Sequence, residues 1–332
     1  MTIKITPDET PVSWILDNIE IDASLTRPDG SGPFPAVIMV AGSGPTDRNW
    51  NSPLIPGTNG SAALYAQALT DLGYVTLRYD KRASGPNGRE NAMRMTGKIS
   101  MQSHLEELAG GVRLLAERKD VDPRRIFALT NSEGCIHALN YQNQAIDLPF
   151  AGLVLSAAPA RPIGAVGRSQ IEAQLKPVPG GEAWLAAYDA AIADFSAGRP
   201  VKVDESLPEG IRNLLMGLTT PVNQPFAREL WLTDPLALAT KVKQPILVLI
   251  GKKDTQVDWL ADGVIFDEAV KTHPNLTIVY PENANHVLKY EPRERASLTP
   301  VDVMNSYNSD GSVLDKESLE IVTSWLLART RW

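Results

Sequence analysis

The chain of 332 residues contains a single cysteine, Cys135. No disulfide can close within it, and nothing in its cysteine usage speaks for an oxidising compartment. Long apolar runs are missing as well. Stretches such as Ala36–Ala41 and Ile246–Ile250 are strand-sized, too short to cross a bilayer. No block of lysine and arginine stands out and the net charge is −7, which argues against nucleic acid as a partner. Metal-finger spacing, internal repeats and low-complexity tracts are absent, and no metal is expected. The first residues, MTIKITPDETPV, have no apolar h-region and no small-residue cleavage site. No secretory signal is expected there, and the cytoplasm is the expected location.

What is present is an ordinary globular composition, 43% hydrophobic and 21% charged, sufficient for a sizeable core. The length is long for one simple domain and short for two. Short β-branched runs alternate with helix-period runs. Strands are expected at Ala36–Ala41, Val75–Tyr79, Ile126–Thr130, Leu153–Ser156, Ile246–Ile250 and Leu276–Tyr280. Between them Leu64, Ala68, Leu69 and Leu72 share one helical face, as do Leu105, Leu108, Val112 and Leu115, and near the end Leu319, Val322 and Leu326. Strands apolar throughout and separated by helices predict an α/β fold, with a mostly parallel sheet covered on both sides. Ile15–Leu25 alternates more and reads as an antiparallel edge hairpin.

Residues 158–240 break the alternation with helix patterns and prolines but no strand. Trp184, Tyr188, Ile192 and Phe195 make one helical stripe there. Packing on the core would explain it. So would a helical cap inserted over the sheet with the stripe facing a pocket, and a position between two strands favours the cap. The expected organisation is a core of residues 1–157 and 241–332 with residues 158–240 inserted, and Trp184 and Tyr188 as substrate-binding candidates.

Ligands of such sheets bind beyond the carboxyl ends of the strands. Three reactive residues follow strands there: Ser132 after Ile126–Thr130, Asp254 after Ile246–Ile250, and His286 after Leu276–Tyr280. A serine hydroxyl is a weak nucleophile until an imidazole takes its proton, and a carboxylate fixes the imidazole tautomer. Of the four histidines, His104 precedes a helix, His137 sits on the helix after Ser132, and His273 lies before a strand rather than after one. That leaves His286. Ser132 read alone would be a helix N-cap. Asp258 competes with Asp254, which comes sooner after its strand. A sharp strand-to-helix turn at Ser132 would aim the Glu133 N–H at a developing oxyanion.

The loop Gly42–Arg48 follows another strand end, and its small residues let backbone approach a substrate carbonyl. There the N–H of Ser43 or Gly44 would be the second donor. A dinucleotide fingerprint fails, because only one Gly-x-Gly is present, Pro45 lacks an N–H and no helix opens directly behind it. The cluster Arg78, Asp80, Lys81 and Arg82 reads as a salt-bridge brace rather than as catalytic groups. Cys135 reads as a small buried filler.

These segments together resemble the α/β-hydrolase superfamily, more narrowly its esterase D-like branch, close to dienelactone-hydrolase and serine-aminopeptidase-type members. The matching stretches are Ala41–Arg48 (AGSGPTDR), Leu77–Arg82 (LRYDKR), Asn131–Gly134 (NSEG), Val248–Val257 (VLIGKKDTQV) and Ala284–Lys289 (ANHVLK), in family order over nearly the whole chain. The resemblance implies a mostly parallel sheet with flanking helices, a cap after the sixth strand and cofactor-free ester hydrolysis. It further implies Ser132 as nucleophile, Asp254 as acid and His286 as base, with the Ser43 and Glu133 N–H groups as oxyanion hole. Two departures stand out. Thr130 replaces the first glycine of the usual Gly-x-Ser-x-Gly, which would crowd and re-aim the turn. Ala83–Gly88 replaces a Gly-x-Gly, which would alter the pocket rim.

The expected function is a serine carboxylesterase acting on a small ester. An amidase or peptidase and an acyltransferase share the same triad, and a non-catalytic binding protein shares the same fold.

Overall fold

The computed structural model describes residues 9–145, 147–309 and 311–330. Most of the N-terminal stretch read for a secretory signal lies outside them. Eight strands form one sheet: β1 (Thr10–Leu16), β2 (Ile19–Thr26), β3 (Phe34–Val40), β4 (Val75–Tyr79), β5 (Val121–Asn131), β6 (Gly152–Ser156), β7 (Ile246–Leu249) and β8 (Leu276–Val279). Their spatial order is β1-β2-β4-β3-β5-β6-β7-β8. β2 runs antiparallel to both neighbours, and every other pair is parallel. The expected hairpin is therefore present, and it starts earlier than its alternation suggested. Its turn is Asp17-Asn18, both with positive φ, the backbone a two-residue hairpin needs.

The helices of the first half are α1 (Ser61–Asp71), α2 (Gly88–Arg94), α3 (Met101–Ala116) and α4 (Glu133–Gln144). Between β6 and β7 come α5 (Ile163–Leu175), α6 (Gly181–Ser196), α7 (Glu209–Thr219), α8 (Phe226–Leu232) and α9 (Pro235–Ala239). The last three are α10 (Gly263–Val270), α11 (Pro300–Tyr307) and α12 (Lys316–Thr330). Among the described residues no helix is long and apolar enough to cross a membrane.

Side chains alternate across a strand, and β3 shows what that does here. Ala36, Ile38 and Val40 pack with Leu108, Val112 and Leu115 of α3 and Leu139 of α4. Val37 and Met39 pack on the other face with Tyr65, Ala66 and Leu69 of α1 and Val322 and Leu326 of α12. A strand buried on both faces has no polar side to show, hence the unbroken apolar runs. On α1 the buried face differs from the one the leucines suggested. Ala62, Tyr65, Ala66 and Leu69 face inward, while Leu72 is 42% exposed. The alanines let the helix approach the sheet closely, and Tyr65 fills the depth.

Helices α5 to α7 share a small core of their own, including Ile171, Leu175, Tyr188, Ile211 and Leu215. α9 behaves differently. Leu236, Leu238 and Ala239 pack into the main core, and the Leu238 carbonyl accepts a hydrogen bond from the Asn143 side chain of α4 at 3.0 Å. The helical layer with its own core thus stops short of residue 240.

Candidate active site

The strand order reverses around β3, which lies between β4 and β5. A crevice opens there at the carboxyl ends, and it receives the loop after β3 and the turn after β5. In that turn Ser132 has φ 54° and ψ −122°, a conformation that costs an L-residue about 1–3 kcal/mol. Neighbouring groups over-determine it. The Ser132 N–H donates to the Ser156 carbonyl and the Cys135 N–H to the Ser132 carbonyl, each at 2.9 Å.

Close approach explains the small residues around the turn. A Cβ on Gly134 would lie 2.5 Å from the Val40 carbonyl oxygen and 2.8 Å from that of Ala41. A Cβ on Gly42 would lie 3.3 Å from the Ser132 Cβ. Thr130, in place of the usual glycine, is accommodated. It is fully buried, and its hydroxyl lies 3.1 Å from the Val154 carbonyl and 3.1 Å from the Cys135 sulfur. Burial pushes the Cys135 thiol up to about 12, so it remains a protonated filler.

Asp254 and His286 meet directly. Asp254 Oδ2 lies 2.9 Å from His286 Nδ1. Its other oxygen accepts the N–H groups of Gln256 and Val257 at 2.7 and 3.1 Å, so the carboxylate is fixed at both ends. Asp258 is turned elsewhere. It accepts the N–H groups of Leu260 and Ala261 at 2.8 and 3.0 Å. The His286 loop is shaped by Asn285, whose side-chain oxygen accepts the N–H groups of Val287 and Lys289 at 3.1 and 3.0 Å. Asn131 donates to the His286 carbonyl at 2.9 Å, and the Tyr307 ring stacks near the imidazole with centroids 6.3 Å apart. Among the described residues the Ser132 hydroxyl has no hydrogen-bond partner. It shares a cavity wall with His286.

That cavity has a volume of about 720 Å³, and its lining includes Ser43, Ser132 and His286 together with residues of α5 to α8. Ile163, Val166, Ile171, Trp184, Ile211 and Trp231 supply apolar wall. Among the described residues the lining includes no Asp, Glu, Lys or Arg. Trp184 faces the cavity as the stripe suggested, but Tyr188 does not. It is fully buried inside the small core of α5 to α7, because a helix sandwiched between two others buries its middle. Gly44 is outside the lining too: it is exposed, with φ +73° and open space where a Cβ would be. The Ala83–Gly88 loop contributes no lining residue either. It folds back through Ser84 N–H to the Lys81 carbonyl and Gly88 N–H to the Gly85 carbonyl, so the pocket rim does not depend on it.

The charged cluster after β4 forms the brace. Asp80 holds Arg48 through Nη2 at 2.6 Å and through its backbone N–H at 2.7 Å. Lys81 donates to the Gly42 carbonyl at 2.6 Å and lies 3.6 Å from Glu133 Oε1. Glu133 in turn meets His137 Nε2 at 3.1 Å. His104 and His137 approach with ring centroids 4.5 Å apart, and His104 Nδ1 lies 2.9 Å from Glu107, which takes Arg82 at 2.9 Å. His104 therefore lies within α3, not ahead of a helix. Burial pushes the Glu133 carboxyl up, but Lys81 and His137 outweigh it and hold the group well below the usual carboxylate range. Burial and the neighbouring His104 push His137 down to about 4. Lys81 belongs to the cluster expected to be a brace, whereas Asn131 and Tyr307 were not singled out as site-building residues by their types, since each acts through a contact distant in sequence.

The eight-stranded, mostly parallel sheet with helices on both faces is the architecture of an α/β-hydrolase. A profile of the alpha/beta hydrolase family matches residues 37–296, and the chain belongs to that family. Esterase EstD of Thermotoga maritima is 27% identical over 306 residues, covering 89% of this chain; the chain spans 64% of that relative's length. An esterase of Pyrococcus furiosus is similar in structure, with a TM-score of 0.54 at 17% identity over 96% of this chain and 91% of that one. The acylaminoacyl peptidase of Pyrococcus horikoshii gives a TM-score of 0.54 at 14% identity over 97% of this chain and 41% of that one. At such identities the structural likeness speaks for the fold alone.

Proposed function

We propose that the protein is a serine hydrolase that cleaves small, uncharged carboxylic esters through an acyl-enzyme. The observation that carries this reading is the 2.9 Å contact between Asp254 and His286 on a cavity that also contains the strained Ser132. The Ser132 hydroxyl attacks the ester carbonyl while His286 takes its proton, and Asp254 holds the imidazole in the tautomer that can do so. General-base help of this kind contributes roughly 10²–10⁴ in rate. The N–H groups of Ser43 and Glu133 receive the oxyanion, and the imidazolium returns its proton to the departing alcohol. Water then repeats the sequence and releases the acid. The name of the Thermotoga relative, an esterase, supports ester rather than another acyl substrate.

Helices α5 to α8 act as a cap in this reading. Their apolar side chains and a lining that has no Asp, Glu, Lys or Arg among the described residues favour a neutral acyl group, since an unpaired charge there would lose its hydration. The test is a panel of p-nitrophenyl esters of increasing acyl length beside aminoacyl p-nitroanilides. Ester turnover is expected, falling at least about 10³-fold in Ser132→Ala. Turnover of the anilides alone would replace the esterase by a peptidase. No turnover of either would overturn the enzyme reading.

A further inference from the structure

Lys81 is 5% exposed, and the proposed chemistry gives its ammonium no part. Its surroundings are specific. The ammonium donates to the Gly42 carbonyl at 2.6 Å, and its second partner is Glu133 Oε1 at 3.6 Å. These are the residue before Ser43 and the residue after Ser132, so one cation touches both segments assigned to the oxyanion hole.

Peptide geometry turns that contact into a direction. In a trans peptide the carbonyl and the following N–H point to opposite sides of the chain. Holding the Gly42 carbonyl toward Lys81 therefore turns the Ser43 N–H away from Lys81. The next peptide is fixed independently, because the Ser43 carbonyl accepts the Thr46 hydroxyl at 2.7 Å. Ser43 lines the cavity with Ser132 and His286, and a Cβ on Gly42 would lie 3.3 Å from the Ser132 Cβ. On the other side the Glu133 side chain reaches down to Lys81 while its N–H stands in the first turn of α4, where helix geometry supplies no acceptor.

Resting on the serine-hydrolase reading, we propose that Lys81 is a positioning residue that orients the Gly42–Ser43 peptide and the first residue of α4, so that both backbone donors converge on the oxyanion. The proposal accounts for a lysine here. A flexible stem with three donors meets one carbonyl and one carboxylate that diverge in direction. A preorganised donor is worth most in the transition state and little in the ground state, so loss of the clamp falls on kcat rather than KM.

The experiment uses the full chain, an ester that wild type turns over, and a trifluoromethyl ketone, whose serine adduct places an oxyanion in the hole. Lys81→Met is expected to lower kcat by about 10- to 100-fold, to leave KM within about threefold, and to weaken the ketone by a similar factor. Lys81→Arg, which keeps a buried donor, is expected to retain more of both. Should Lys81→Met fail to fold because the buried Glu133 carboxylate loses its lysine and keeps only His137, Lys81→Met/Glu133→Gln is compared with Glu133→Gln, and the same losses are expected. Wild-type kcat and ketone affinity in the lysine variant would overturn the proposal, as would a kcat loss with ketone affinity unchanged. Wild type that hydrolyses no ester and takes no serine-directed probe would overturn the hydrolase reading and this one with it. Active wild type beside an unaffected Lys81→Met would overturn this one alone.

Discussion

Asn131 donates its side-chain amide to the His286 carbonyl at 2.9 Å, so the residue immediately before the serine holds the loop that carries the histidine. The bond spans 155 residues of sequence and is buried. Replacing Asn131 by Ala frees the loop and orphans a buried carbonyl, at a cost of about 1–3 kcal/mol. A displaced imidazole also loses rate. Ester hydrolysis by Asn131→Ala is expected to fall between about 10- and 100-fold, mainly in kcat. Steady-state kinetics beside urea unfolding checks both, and unchanged kcat would separate this bond from the site.

Asp254→Asn keeps the shape of the buried site and removes the charge opposite the imidazole. The amide can present its N–H₂ group to Nδ1 and so favour the wrong tautomer. Rate is expected to fall by about 10²–10⁴, with folding retained. Asp258→Asn, a change at a half-exposed aspartate that binds its own loop, is expected to stay within about twofold of wild type. The reverse ranking in ester assays would reassign the acid.

Gly134 is expected to tolerate no side chain. Its added Cβ would meet two main-chain oxygens of the β3 end, neither of which can rotate away. Gly134→Ala is predicted to destabilise by about 2 kcal/mol or more, measured by chemical denaturation. A loss within about 0.5 kcal/mol, as for an ordinary surface change, would mean that α4 can shift without cost.

Stability should fall on mild acidification. Burial, with His104 and Lys81 nearby, outweighs the opposing pull of Glu133 and pushes the His137 pKa down to about 4 against roughly 6.5 in an unfolded chain. Between those values the unfolded state binds more protons than the folded one, so stability declines as pH drops through the window. The full effect is on the order of 3 kcal/mol. The low Glu133 carboxyl adds its own loss only further down, below about 4.5. Urea unfolding at pH 7, 6 and 5 should show the decline in wild type and a flatter profile in His137→Gln. Parallel profiles would show that His137 does not carry it.

The strands were legible because a sheet buried on both faces leaves runs with no polar interruption, as in β3 and β7. The candidate serine, histidine and aspartate could be placed by asking which reactive side chain follows such a run. The contacts that shape their surroundings were not legible. Lys81 reaches Gly42 and Asn131 reaches His286 across the fold, and local sequence carries no trace of either bond. Helix periodicity showed that Trp184 and Tyr188 share a stripe on α6. Only packing against α5 and α7 decides that Tyr188 goes into their common core while Trp184 lines the cavity. Thr130 looked too large for the turn, and its hydroxyl in fact finds a carbonyl on the neighbouring strand.

The most direct test of the central claim is the reaction of the folded protein with a fluorophosphonate, read by intact mass and peptide mapping. The account predicts one adduct, on Ser132, formed more slowly in Asp254→Asn and absent in Ser132→Ala. A folded protein that takes no label, or one labelled elsewhere and still labelled in Ser132→Ala, would contradict it.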